Sequence, residues 1–295
     1  MQNGHKQGLW MLHVAVMLFG LSGVIGKYMT CSAVAITWGR TLCSSAVLLL
    51  LLLLRRQSLT VRCWQDGALM FLAGLVLAVH WVSFFQAVKV ASVAVGTITF
   101  STFPLFLTVL EPICFREPFQ RKNLFLSLLL LAGILLTIPE FSANNQITLG
   151  ILWGLGSSAS YAVLSLLNRY LSKRYDGMAI CFFEQLTVAG TLWPMLLFSQ
   201  TIWTSTDIGW VAVLGVLCTA LAFSLFVYGQ RYQSAQTAGI ISGLETVYGI
   251  LFAMVLLQEF PTYRELLGGT VIVSAVLLSA AAPWENRKGK HSLFK

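Results

Sequence analysis

The sequence predicts an all-α integral membrane protein of ten transmembrane helices, arranged as two inverted five-helix repeats with both termini in the cytoplasm. Three observations carry that prediction. Of the 295 residues, 57% are hydrophobic and only 10% are charged, against about 45–50% and about 25% in an ordinary soluble domain. Apolar runs recur along the whole chain at roughly the 20-residue length that a hydrocarbon core about 30 Å thick demands of a helix. Basic residues gather in alternate connections, as the positive-inside rule requires.

Ten segments follow in order: residues 8–26, 33–54, 68–88, 92–115, 124–138, 149–167, 178–198, 208–229, 235–257 and 266–282. The first lies between Lys6 and Lys27. It is longer than the core of a cleavable signal and has no A-x-A site, so it reads as a retained helix. The second carries a leucine run that ends at Arg55 and Arg56. The fourth contains Pro104, which removes one backbone hydrogen bond and favours a kink. The remaining segments are joined by short connections, which leaves no room for an inserted soluble domain.

With the N-terminus inside, the inner segments hold Lys6; Arg55, Arg56 and Arg62; Arg116, Arg121 and Lys122; Arg169, Lys173 and Arg174; Arg231; and Arg287, Lys288, Lys290 and Lys295. The outer loops hold only Lys27, Lys89 and Arg264, and Arg40 lies within the second helix. Adding or removing a helix would swap the later loops and destroy the asymmetry. The net charge of +8 is therefore topological and does not indicate a nucleic-acid partner. The six cysteines are scattered, with no C-x-x-C pair, and read as small buried thiols. No metal site and no cofactor are expected.

The chain also resembles itself. At an offset of 142 residues Phe84 meets Phe226, Lys89 meets Arg231, Ser92 meets Ser234, Ile98 meets Ile240 and Glu117 meets Glu259. Leu135 and Leu136 meet Leu277 and Leu278. The first repeat is placed at 1–142 and the second at 143–295, the latter ending in a short basic tail. Five helices per half is odd, so the second half enters the membrane upside down, as in many secondary transporters.

Three stretches resemble the EamA-type group of the drug/metabolite transporter superfamily. Phe103-Pro104-Leu105-Phe106, Leu110-Glu111-Pro112 and Arg116-Glu117-Pro118 are similar to its P-x-F … G-E stretch. Ser242-Gly243-Leu244-Glu245-Thr246-Val247 with Leu257-Gln258-Glu259 is similar to its L-E-P-V … G-E stretch, and Phe19-Gly20 with Lys27 to its W-G … K. Thr246 departs from the family proline, and Arg116 and Gln258 from the family glycine. The resemblance implies a multi-pass carrier of the bacterial inner membrane, and for many relatives the export of amino acids or related metabolites.

Polar side chains in hydrocarbon are costly and mark function by default. Arg40, His80, Trp81, Glu245, Tyr161 and Tyr248 are the candidate substrate-binding residues. Arg40 offers a bidentate fork for a carboxylate, and Trp81 a face for stacking or for a cation. Glu245, Glu184, His13 and Pro104 are the candidates for proton coupling or gating. Each also has a structural reading: Arg40 and Glu245 suit one another as an ion pair, and His80 suits a backbone carbonyl. Glu111, Glu117 and Glu259 read as helix-end contacts. The small polar residues Ser22, Thr99, Ser101 and Asn168 more often bond their own backbone or tie helices together. Gly20, Gly23 and Gly26 read as a close-packing face.

The expected activity is secondary transport of a small molecule through the lipid bilayer by alternating access, with protons as a coupling partner. An exchanger or importer of another class (a nucleoside, an amine, a cofactor-like solute) is the alternative. An enzyme or a channel fits less well. There is no G-x-S-x-G, no H-E-x-x-H, no phosphate-binding loop and no repeated filter sequence.

Overall fold

The computed structural model describes residues 2–115, 121–137, 145–198, 203–230 and 241–281. Every regular element among them is helical. In order these are α1 (Gln2–Tyr28), α2 (Ala33–Leu54), α3 (Trp64–Val90), α4 (Val93–Phe100), α5 (Phe103–Phe115), α6 (Arg121–Thr137), α7 (Gln146–Leu171) and α8 (Gly177–Phe198). Then α9 (Ser205–Gly215) passes through a π-helical turn, Val216–Leu221, into α10 (Ala222–Gln230). Finally α11 (Glu245–Phe252) runs into a second π-helical turn, Ala253–Leu257, and α12 spans Tyr263–Ala281.

Seven stretches of the described residues are long and apolar enough to cross a membrane. They are Lys6–Tyr28, Ala33–Leu54, Trp64–Val90, Val93–Cys114, Gln146–Leu171, Gly177–Leu197 and Ser205–Phe226, with Glu245–Leu257 a shorter apolar helix. The chain is thus a multi-pass membrane protein. Helices α6 and α12 lie over the fifth and tenth expected segments. Several expectations fall outside the described residues: Arg116, Glu117 and Pro118, Arg231, Ser234, Ile240, the start of the ninth segment, and the basic tail.

Helix starts are set by short polar side chains that accept otherwise unpaired backbone N–H groups. Ser32 accepts from Ala35, Ser92 from Val95, and Asn145 from Ile147 and Thr148. Thr204 and Asp207 form a reciprocal capping box at the start of α9.

The packing of the halves exchanges in kind. The third helix of the first half packs on the first of the second half (α3 on α7), and α10 packs on α1 in return. Helices α4 and α5 pack on α7, while α11 packs on α1. Helix α3 meets α8, and α9 meets α2. The self-related pairs, α2 with α8 and α6 with α12, also pack together.

The fourth expected segment is two helices, with a turn at Ser101 and Thr102. Pro104 has no N–H to return to the Phe100 carbonyl four residues earlier. That carbonyl instead accepts the Ser158 hydroxyl at 3.2 Å. Pro104 therefore lies in the first turn of α5, where a missing N–H costs nothing; the proline inside that helix is Pro112. This corrects the expectation of a kink within one continuous helix. A matching turn occurs at Gly243 and Leu244, 142 residues further on, just before α11.

A cavity with two polar ends between the halves

A cavity of about 340 Å³ opens where these two turns meet the bundle. Its wall contains Ser101 and Phe103 from the first turn, and Ser242, Gly243 and Glu245 from the second. Helices α1, α2, α3, α7, α8 and α10 and the first π turn complete it. Backbone irregularity at membrane depth is tolerated where it lines such a space.

One end of the cavity is built around Arg40, which is buried. Its Nε and Nη2 donate to Thr219 Oγ1 at 3.1 and 2.7 Å, and its Nη1 donates to Ser22 Oγ at 3.1 Å. The guanidinium carbon lies 4.3 Å from the Trp81 ring centroid and 5.3 Å from that of Phe85. Thr219 belongs to the first π turn, and its hydroxyl donates to the Leu214 carbonyl five residues back at 2.7 Å. The widened turn thus holds the oxygen that grips Arg40. Arg40 and Glu245 are not within ion-pair distance; the two line the same cavity, close enough for each charge to act on the other.

The middle is aromatic. His80, Phe100, Phe103 and Tyr161 pack ring to ring, with centroids 5.0 to 5.7 Å apart in the contacts His80–Tyr161, His80–Phe100, Phe100–Tyr161, Phe103–Tyr161 and Phe100–Phe103. His80 is also tied down, its Nδ1 lying 3.0 Å from the Ser157 carbonyl and 2.9 Å from the Ser157 hydroxyl. These contacts fix it as part of the wall. At the other end lie Asn168, Cys181, Glu184 and Gln185, from the last turns of α7 and the first turns of α8.

Arg40, His80, Trp81, Tyr161, Glu184 and Glu245 are thereby brought to one space. Tyr248 and His13 are not. Tyr248 turns away from the cavity; its hydroxyl lies 2.9 Å from His13 Nδ1, and the pair joins α11 to α1 beside Leu12, Val16 and Ile241. Gly20 is what permits that contact. A Cβ there would stand 2.8 Å from the Gly249 nitrogen and 2.9 Å from the Glu245 carbonyl oxygen.

Two aspartates that the sequence reading passed over tie the helix ends. At the end where α1 finishes, Asp207 accepts the Thr30 amide at 2.9 Å, the Thr30 hydroxyl at 2.6 Å and the Thr204 hydroxyl at 2.7 Å. Burial first, and then the Asp207 charge, push the neighbouring Cys31 thiol up to about 11. Lys27 Nζ donates to the carbonyls of Val88, Lys89 and Ala91 at the end of α3, and Lys89 donates to Met29. Glu259 accepts from the Val93 amide, as a helix-end contact. At the opposite end Asp66 accepts Arg174 at 3.0 Å and the Tyr175 hydroxyl at 2.7 Å, and Glu111 pairs with Arg169. The available signal was the Thr204-x-x-Asp207 cap and the near-repeat separation of the two aspartates.

A sequence profile of the EamA-like transporter family matches the chain twice, over residues 6–138 and 148–281. The chain is 27% identical over 285 residues to the uncharacterized transporter YwfM of Bacillus subtilis, covering 95% of each. It is 24% identical over 214 residues to the pseudopaline exporter CntI of Pseudomonas aeruginosa, covering 72% of this chain and 75% of that one. A solved crystal structure superposes with a TM-score of 0.66 at 17% identity, over 93% of this chain and 96% of that one. That likeness is one of fold.

Proposed function

The chain belongs to the EamA-like transporter family of the drug/metabolite transporter superfamily, and from that premise we propose that it exports amino acids or close relatives by alternating access. The observation that carries the cargo class is Arg40. It is a buried cation at membrane depth with no carboxylate within ion-pair distance among the described residues, in a cavity also lined by Glu245, whose charge acts on it from further away. A buried charge without a directly bonded counter-ion is costly there. A carboxylate on the cargo would offset that cost, and Glu245 would face its amino group or carry a coupling proton. Trp81 and Tyr161 would hold the body of the cargo. An exporter among the relatives lends the direction.

We further propose ten spans in two inverted repeats, 1–142 and 143–295, in a bacterial inner membrane with both termini cytoplasmic. The reciprocal packing of the halves and the turns 142 residues apart support this arrangement. In that orientation Lys27, Lys89 and Asp207 close the periplasmic end. The cavity reaches toward the cytoplasmic ends of α7 and α8, where Asp66–Arg174 and Glu111–Arg169 join the halves.

The test is counterflow into proteoliposomes loaded with single unlabelled amino acids. Saturable uptake of the matching labelled amino acid supports the reading. Flux that fails to saturate points to a channel, and silence for every amino acid alongside counterflow of nucleosides or amines overturns the cargo class.

A further inference from the structure

The Glu184 end of the cavity has an excess of acceptors. Glu184 and Gln185 are 3% and 1% exposed. Glu184 Oε1, Gln185 Oε1 and Asn168 Oδ1 are all buried and have no hydrogen-bond partner. One donor contact is made by each of the two amides. Gln185 Nε2 donates to Cys181 Sγ at 2.8 Å, and the Asn168 side chain hydrogen-bonds to Glu184. All three residues line the cavity.

Three unpartnered oxygens, one of them on a carboxylate, call for a ligand that only donates or carries positive charge. A proton on Glu184 would serve one oxygen and leave the others unserved. Oxygen donors of this kind suit hard cations. A single carboxylate, with Arg40 adding positive charge to the same cavity, disfavours a divalent ion. Among the described residues no group of three His, Cys, Asp or Glu side chains gathers to hold a metal.

We propose that Glu184, Gln185 and Asn168 form a binding site for a small monovalent cation, either a sodium ion or the ammonium group of a cargo molecule. The site stands apart from Arg40 and does not depend on which acid the cavity carries. Binding is read on the purified protein without transport, so its failure leaves the carrier reading untouched.

The experiment is thermal unfolding of the full chain in detergent. Choline chloride is replaced stepwise by sodium chloride or by methylammonium chloride at constant ionic strength and pH. A cation that binds only the folded protein raises the midpoint saturably, by roughly a few degrees. A rise with sodium identifies a coupling ion, and a rise with methylammonium alone identifies the cationic end of a cargo. Either rise must vanish in Glu184→Gln. In Gln185→Met, which keeps the carboxylate and removes one oxygen, it must move to at least tenfold higher concentration. No rise with either cation overturns the proposal, as does the same rise in Glu184→Gln. A stability that depends on pH through Glu184 with no cation response assigns the site to a proton and overturns it too.

Discussion

Replacing Arg40 by lysine keeps the charge and removes the fork. Arginine has five N–H donors in a fixed plane, and three are spent on Thr219 and Ser22. The remaining two are free to grip both oxygens of a carboxylate while the Trp81 face backs the guanidinium at 4.3 Å. A lysine ammonium reaches one oxygen as a point charge. The variant thus loses one charge-assisted hydrogen bond to cargo, worth about 1.5–3 kcal/mol, which is about 10- to 150-fold in affinity at about 1.4 kcal/mol per decade. The assay compares binding of a carried amino acid with binding of its carboxamide, in wild type and Arg40→Lys. The acid should lose the full factor and the amide, which has no carboxylate to grip, less than threefold. Equal losses for the two would show that Arg40 only holds the bundle together, and an unchanged affinity for the acid would refute the carboxylate assignment.

Glu245→Gln should leave folded protein in the membrane but abolish or uncouple transport; normal, pH-dependent flux would end its assignment as the coupling carboxylate. Ser158→Ala removes the donor to the carbonyl that Pro104 frees, at a cost of about 1–3 kcal/mol for an unsatisfied buried acceptor, and should lower the unfolding midpoint by a few degrees with cargo affinity retained. Asp207→Asn should weaken the Thr30 end and raise labelling of a cysteine placed in the cavity from the outer side. Asp66→Asn should raise it from the inner side, and like effects of the two on one side would contradict the alternating scheme.

Much of the fold was legible because membrane segments announce themselves by length and hydropathy. The 142-residue offset, read from a few polar matches, also predicts where the second break falls: Ser101 and Thr102 lead to Gly243 and Leu244. Arg40, His80, Trp81, Tyr161, Glu184 and Glu245 were found because each is polar or aromatic at depth. What sequence could not supply was azimuth. Tyr248 lies one helical turn from Glu245 and is a substrate-binding candidate by residue type, but Gly20 lets α1 approach so closely that the Tyr248 hydroxyl pairs with His13. Asp66 and Asp207 sit at helix starts, where an acidic residue is ordinary, and they are 141 residues apart, not 142, so the repeat did not flag them. The π turn that aims Thr219 at Arg40 leaves no mark in composition at all.

The two broken helices give the cavity its position and its mobility together. Ser101 of the first break is hydrogen-bonded to Thr246 beyond the second, and the Thr246 hydroxyl also reaches the Thr97 carbonyl at 3.3 Å. Each half therefore presents its weakest backbone to the other at the same depth. Thr246, the departure from the family proline, supplies the hydroxyl that joins them. A proline there would have neither hydroxyl nor N–H. A joint made of two short polar contacts between two helix breaks can pivot without exposing further backbone to lipid, since the freed groups already face the cavity or each other. Rocking one half about this joint would break one end at a time, either Thr30–Asp207 or the Asp66–Arg174 and Glu111–Arg169 contacts. The charged and aromatic lining would stay in place around whatever it holds.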